Sequence, residues 1–313
     1  MFKLDPEIAA VFAAMAQGER PLQPALDDLV GMREATNAGL AAIFAKLPDA
    51  PNVQARSLGF AAADGGTVNC VLYEKPRDSV RAGVVYAHGG GMIAGSVAVY
   101  DRLIRYYVEL TGVSFLAVDY RLAPEHRKTG LVQDVLAAIE WLKLKAPECN
   151  IARDRIAVMG DSGGGGVAAA AAVMARDKGI TLSRQILIYP MLDDRNCVPD
   201  PLLVPTATWS YEKNLVAWRA ILGDAFDTEG ISPTAAPARL GDFAGLPPAY
   251  IEVGELDIFR DESICYAQRL YAAGVSCELH VHSGAPHGHD WHLASADISR
   301  RAFADRARVL RSL

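Results

Sequence analysis

The chain is predicted to fold as an α/β domain, a mostly parallel sheet of about eight strands with helices on both faces. Three observations point there. First, beyond about residue 80, short apolar β-branched runs alternate with longer segments of helical periodicity. Second, Gly160-Asp161-Ser162-Gly163-Gly164 sits between such a run, Arg155 to Met159, and an alanine-rich helical segment, Gly165 to Asp177. Third, 313 residues at 51% hydrophobic content can bury one large core.

The elements follow in order. Residues 1 to about 47 read as helices broken at Pro21 and Pro24, with Ile8, Val11, Phe12 and Met15 at helical spacing. Arg56 to Ala63 and Thr67 to Glu74 form a hairpin around Asp64-Gly65-Gly66. Gly83 to Ala87 is a strand, Tyr100 to Leu110 a helix and Ser114 to Asp119 a strand. Leu131 to Lys145 is a helix with Asp134, Glu140 and Lys143 on its polar faces. After the serine-bearing turn come strands at Gln185 to Tyr189, Ala249 to Val253 and Ser276 to Val281. Helices Asp261 to Ala273 and Asp297 to Leu310 follow the last two. The stretch from Asn196 to Asp227, rich in proline and aromatic residues, breaks the rhythm. It reads as an insertion over the carboxyl edge of the sheet, where open α/β sheets bind ligands.

The composition excludes several function classes. The net charge of -6 is spread along the chain and gives no footprint for nucleic acid. The amino terminus lacks a basic region followed by an apolar run, and no apolar stretch is long enough to span a bilayer. Five widely spaced cysteines without a C-x-x-C read as reduced, buried thiols of a cytoplasmic protein.

The chemistry is carried by spacing. A serine on a sharp strand-to-helix turn has its hydroxyl raised above the sheet. It needs a base, and the base needs an orienting acid. In this topology both follow the serine, acid first. Asp257 lies just past one late strand and His287 just past the last, so Ser162, Asp257 and His287 have the required order. Glu255 and Asp261 are the rival acids; Asp261 suits a helix start better. His88-Gly89-Gly90-Gly91 follows an earlier strand, where a glycine loop can turn backbone N–H groups toward an oxyanion, and the N–H of Gly163 supplies another donor. Asp161 is assigned a local hydrogen-bonding role, His88 the shaping of its loop, and Glu125-His126 the organisation of a turn. His280, His282, His287, His289 and His292 make a histidine-rich stretch without metal-site spacing, and no metal is expected.

These strings, with Asp119-Tyr120-Arg121-Leu122-Ala123-Pro124-Glu125-His126, Tyr189-Pro190-Met191-Leu192-Asp193-Asp194 and Arg260-Asp261-Glu262, resemble the hormone-sensitive-lipase-like family of serine esterases over about residues 55 to 295. The resemblance implies an α/β-hydrolase with a helical cap: cap helices at 1-47, core at 48-195, a cap insertion at 196-227 and core again at 228-313. It implies cofactor-free hydrolysis of small, short- to medium-chain carboxylic esters through an acyl-enzyme. Ser162 becomes the nucleophile, Asp257 the acid, His287 the base, and Gly90, Gly91 and Gly163 the oxyanion donors. A homodimer is implied by family likeness alone.

Three positions depart from the family pattern. Gly163 stands where alanine is usual, Asp257-Ile258-Phe259 replaces Asp-Pro-Leu, and His287-Gly288-His289 replaces His-Gly-Phe. His289 is therefore expected to make the pocket more polar or to shift the pH profile. Met92, Trp209, Tyr211 and Trp218 are candidate pocket residues, with packing of the cap onto the body as the competing role. The same machinery would also serve a lactone, carbamate or amide. A small-molecule sensor on this fold is the alternative of another class; receptors resembling the family lose a triad member, and here all three are present.

Overall fold

The computed structural model describes residues 2–17, 24–62, 64–76 and 79–313. The expected break at Pro21 and the strand end at Ala63 lie outside them. Among the described residues one eight-stranded sheet forms: β1 (Gln54–Ala61), β2 (Thr67–Glu74), β3 (Arg81–Ala87), β4 (Ser114–Asp119), β5 (Ile151–Asp161), β6 (Gln185–Ile188), β7 (Ala249–Gly254) and β8 (Cys277–His282). Their spatial order is β1-β2-β4-β3-β5-β6-β7-β8. β2 is antiparallel to β1 and β4, and the remaining pairs are parallel. The predicted α/β architecture is borne out.

Helices cover both faces. α1 (Pro6–Gln17), α2 (Leu29–Phe44), α3 (Val97–Thr111), α4 (Gly130–Lys145), α5 (Gly163–Asp177), α6 (Tyr211–Leu222), α7 (Arg260–Ala272), the single turn α8 (His289–His292) and α9 (Asp297–Arg311) complete the order. Strand alternation divides the core. Val84 and Tyr86 of β3 join α2, α3 and α9 on one face, while Val85 and Ala87 join α4, α5 and α6 on the other. α3 begins where Ser96 Oγ accepts the Val99 N–H at 3.2 Å and ends at Gly112, whose φ of 73° lets the chain turn out.

Two expectations need correction. Asp134 does not face water from α4. It is fully buried and accepts the Arg121 N–H and guanidinium at 2.7 to 3.2 Å, so a charge partner makes burial tolerable. All five cysteines are free, but only Cys70 and Cys149 are buried; Cys197 and Cys277 are half-buried, and Cys265 is exposed on the outer side of α7. No described helix is long and apolar enough to cross a membrane.

Candidate active site

Four strands, β3, β5, β7 and β8, deliver the candidate groups to one edge, with β6 between β5 and β7. Ser162 follows β5 directly, with φ 55° and ψ -123°. A non-glycine residue in this region is strained, and its neighbours hold it there. Its N–H donates to the Ile188 carbonyl at 2.9 Å, and its own carbonyl accepts from Met191 at 3.0 Å and Gly166 at 3.2 Å. α5 can start this close to the sheet because a Cβ at Gly164 would overlap the Ala87 and His88 carbonyls.

His287, on the loop after β8, places Nε2 2.9 Å from Ser162 Oγ. Its Nδ1 lies 2.7 Å from Asp257 Oδ2. A carboxylate only accepts, so Nδ1 carries the proton and Nε2 is left to accept from the serine hydroxyl. Asp257 is fully buried, and its other oxygen accepts the Phe259 N–H at 2.9 Å. The rival acids are engaged elsewhere: Glu255 accepts from Ser283 Oγ and the Gly284 N–H at 3.0 Å each, and Asp261 pairs with Arg260 at 2.7 Å. A hydroxyl, imidazole and buried carboxylate in this order can activate an oxygen nucleophile.

The glycine loop closes the other side. Gly90, Gly91 and Met92 all have positive φ, at 117°, 60° and 61°. A Cβ at Gly163 would stand 2.7 Å from Met92 N and 2.9 Å from both Gly91 Cα and N. The loop backbone therefore rests directly against the residue after Ser162. His88 is buried, its Nδ1 bonded to the Gly89 carbonyl at 2.9 Å and its ring stacked on Tyr120 at 4.3 Å, a loop-shaping role. Asp161 accepts from the Tyr86 hydroxyl and from Tyr100 at 2.9 Å. Burial pushes its carboxyl up to about 6. Glu125 is held by Arg33 rather than by its own turn.

The candidate pocket residues separate. The Trp209 ring packs on Gly91, where a Cβ would meet it at 2.7 Å, and Met92 lies beside Gly166. Trp218 is fully buried in the core. Tyr211 lines a different cavity of about 470 Å³ with Asp193, Ile258 and Glu262. His289 departs most from expectation. It is fully buried with its ring 5.4 Å from that of His282, and desolvation depresses it to about 4. It packs into the body instead of opening onto a pocket, because α8 turns its side chain toward β8.

Several neighbours were not singled out in the sequence. Tyr189, Phe259 and Trp291 surround the His287 ring at 4.9, 5.1 and 6.2 Å. Thr208 Oγ1 donates to the His287 carbonyl at 2.6 Å, tying the 196–227 segment to the histidine loop. Arg306, Glu252 and Asp290 form a fully buried ionic group, with Asp290 also accepting from the Tyr189 hydroxyl at 3.1 Å. Aromatic residues and one threonine carry no spacing signal of their own; only tertiary contact reveals them. Among the described residues, Glu278, His280 and Asp305 approach closely enough to suggest a metal group. However, Glu278 and Asp305 take opposite nitrogens of His280, at 2.7 and 3.6 Å, and Arg308 pairs with Glu278. The set is an ion-pair cluster with its partners in place.

Residues 84–290 match a family model described as the alpha/beta hydrolase fold. The chain is 35% identical over 269 residues to the carboxylesterase NlhH of Mycobacterium tuberculosis, covering 82% of this chain and 83% of that protein. It is 30% identical over 235 residues to an ethyl acetate hydrolase of Pseudomonas putida, covering 74% of each. Among solved structures, a bacterial heroin esterase superposes with a TM-score of 0.91 at 34% identity, covering 99% of this chain and 98% of the other.

Proposed function

This chain belongs to the hormone-sensitive-lipase-like carboxylesterases of the α/β-hydrolase fold and is a carboxylic ester hydrolase, and on that premise we propose that Ser162, His287 and Asp257 cleave small esters through an acyl-enzyme. The unbroken hydrogen-bond relay from Ser162 Oγ through His287 to buried Asp257 carries this reading. His287 takes the serine proton as Oγ attacks the ester carbonyl. The N–H groups of Gly90, Gly91 and Gly163 hold the oxyanion, each such donor being typically worth about 3 kcal/mol. The protonated imidazole then gives its proton to the leaving alcohol. Water, activated by the same imidazole, releases the acid. Asp257 fixes the tautomer and stabilises the imidazolium.

Residues 1–47 and 196–227 act as the cap. Packing of Trp209 on Gly91 supports a restricted pocket, and a relative named for ethyl acetate supports short acyl groups; the range extends to medium chains. Free thiols at all five cysteines support a reducing compartment, the cytoplasm. p-Nitrophenyl esters from acetate to decanoate, assayed with wild type and Ser162→Ala, test the reading. Turnover that favours the short esters and collapses in the variant is expected. Turnover indifferent to Ser162 would refute the assignment.

A further inference from the structure

The strained glycine loop needs something to hold it. Gly90 and Gly91 take positive φ freely, but Met92 beside them, at φ 61°, persists there only where the surroundings over-determine it. Part of the support is local: the Gly90 carbonyl accepts from Ile93 and Ala94 at 3.2 and 3.0 Å, and the Met92 carbonyl accepts from Ala123 at 3.0 Å. The rest comes from α2, about sixty residues earlier in the chain. Arg33 Nε donates to the Ile93 carbonyl at 2.7 Å, and Nη2 to the Ala123 carbonyl at 2.8 Å. The same guanidinium grips Glu125 through both carboxylate oxygens, at 3.0 and 2.8 Å. One turn further along α2, Asn37 Oδ1 accepts the Gly95 N–H at 2.7 Å.

We propose that Arg33 and Asn37 are positioning residues of the reaction, through which α2 clamps the far end of the glycine loop and keeps the Gly90 and Gly91 N–H groups aimed at the substrate oxyanion. The guanidinium suits this task because its planar fork makes four bonds at once, to two carbonyls and both oxygens of a carboxylate, whereas an ammonium has only three donors. The two carbonyls it joins, Ile93 and Ala123, belong to the loop and to the segment bonded to Met92, so one side chain fixes the loop to its support. Neither residue touches the reacting atoms. Their loss therefore weakens binding of the transition state, which leans on the oxyanion donors, more than binding of the ground-state ester.

The inference rests on the esterase assignment above. Its test compares kcat, KM and the affinity for a trifluoromethyl ketone analogue of an acetate ester in wild type, Arg33→Met, Arg33→Lys, Asn37→Leu and Asn37→Asp. Arg33→Met and Asn37→Leu are expected to lower kcat roughly tenfold or more, with KM within about twofold and the ketone affinity falling in parallel. Asn37→Asp keeps the acceptor for Gly95 and is expected to retain near-wild-type kcat. Arg33→Lys should fall between. Asn37→Leu removes a single bond and decides the matter if Arg33→Met folds poorly. Unchanged kcat in Asn37→Leu, equal losses in Asn37→Leu and Asn37→Asp, or a kcat loss without loss of ketone affinity would overturn the proposal. An active Ser162→Ala would overturn the site assignment itself, a result distinct from any of these.

Discussion

Adding one methyl group at Gly163 probes how tightly the oxyanion loop is seated. In Gly163→Ala the new Cβ would lie 2.7 Å from Met92 N and 2.9 Å from Gly91 Cα and N, all backbone atoms. Ordinary contact for such pairs begins at 3.4 Å, so the loop must retreat by roughly 0.5 to 0.7 Å. In the proposed mechanism Gly91 donates from this loop, and Gly163 donates from the residue being changed. A misplacement of 1 Å costs about a hundredfold in rate, so roughly ten- to thirtyfold is expected here, about 1.4 to 2 kcal/mol. A loss confined to the oxyanion contacts, which strengthen in the transition state, should leave KM little changed. Steady-state kinetics on p-nitrophenyl acetate, corrected for the fraction of active serine, measure this. A kcat within twofold of wild type would refute the claim that loop and elbow are in tight backbone contact.

Other perturbations reach the supports of the site. Burial raises the folded pKa of Asp161 to about 6 from 3.8, so the folded state keeps a proton that the unfolded chain has released. The resulting stability is full below about pH 4 and is lost as pH rises through 6, by about 3 kcal/mol; urea melts across this range should show the slope in wild type and not in Asp161→Asn. His289 behaves oppositely. Its folded pKa of about 4 against 6.5 means that stability is present at neutral pH and lost on acidification through that window, and among the described residues neither buried ring nitrogen has a hydrogen-bond partner. His289→Phe should stabilise the protein by about 1 to 3 kcal/mol in urea melts and leave the shape of the pH–rate curve unchanged. Arg306→Met strands Glu252 and Asp290 in the core and should cost about 3 to 5 kcal/mol in the same measurement. Thr208→Val removes the bond to the His287 carbonyl; at about 1 kcal/mol a roughly fivefold loss of kcat is expected, with Thr208→Ser close to wild type.

Much of the architecture was legible because its signals are local. Apolar runs mark β3 to β7, and the G-x-S-x-G turn marks the junction of β5 with α5. The order Ser162, Asp257, His287 carried the candidate relay because the parallel topology leaves few places for the acid and base. What escaped was set by contacts between distant segments. Asp134 looked like an exposed helical carboxylate until Arg121 arrived from another loop. His289 looked like a pocket residue because the position two after His287 suggested it, but the α8 turn sends it against His282. Arg33 and Asn37 lie in an amphipathic helix with nothing in its pattern to announce a bond to a loop sixty residues away.

The central claim is that Ser162 becomes acylated during turnover. Wild-type enzyme mixed with p-nitrophenyl acetate, quenched in acid within the first turnovers and digested, can be read directly by peptide mass spectrometry. The account predicts one acetyl group on Ser162 in the peptide that contains it, appearing with a burst of p-nitrophenol and absent from Ser162→Ala. Hydrolysis with that peptide unmodified at every quench time, together with full turnover by Ser162→Ala, would contradict it.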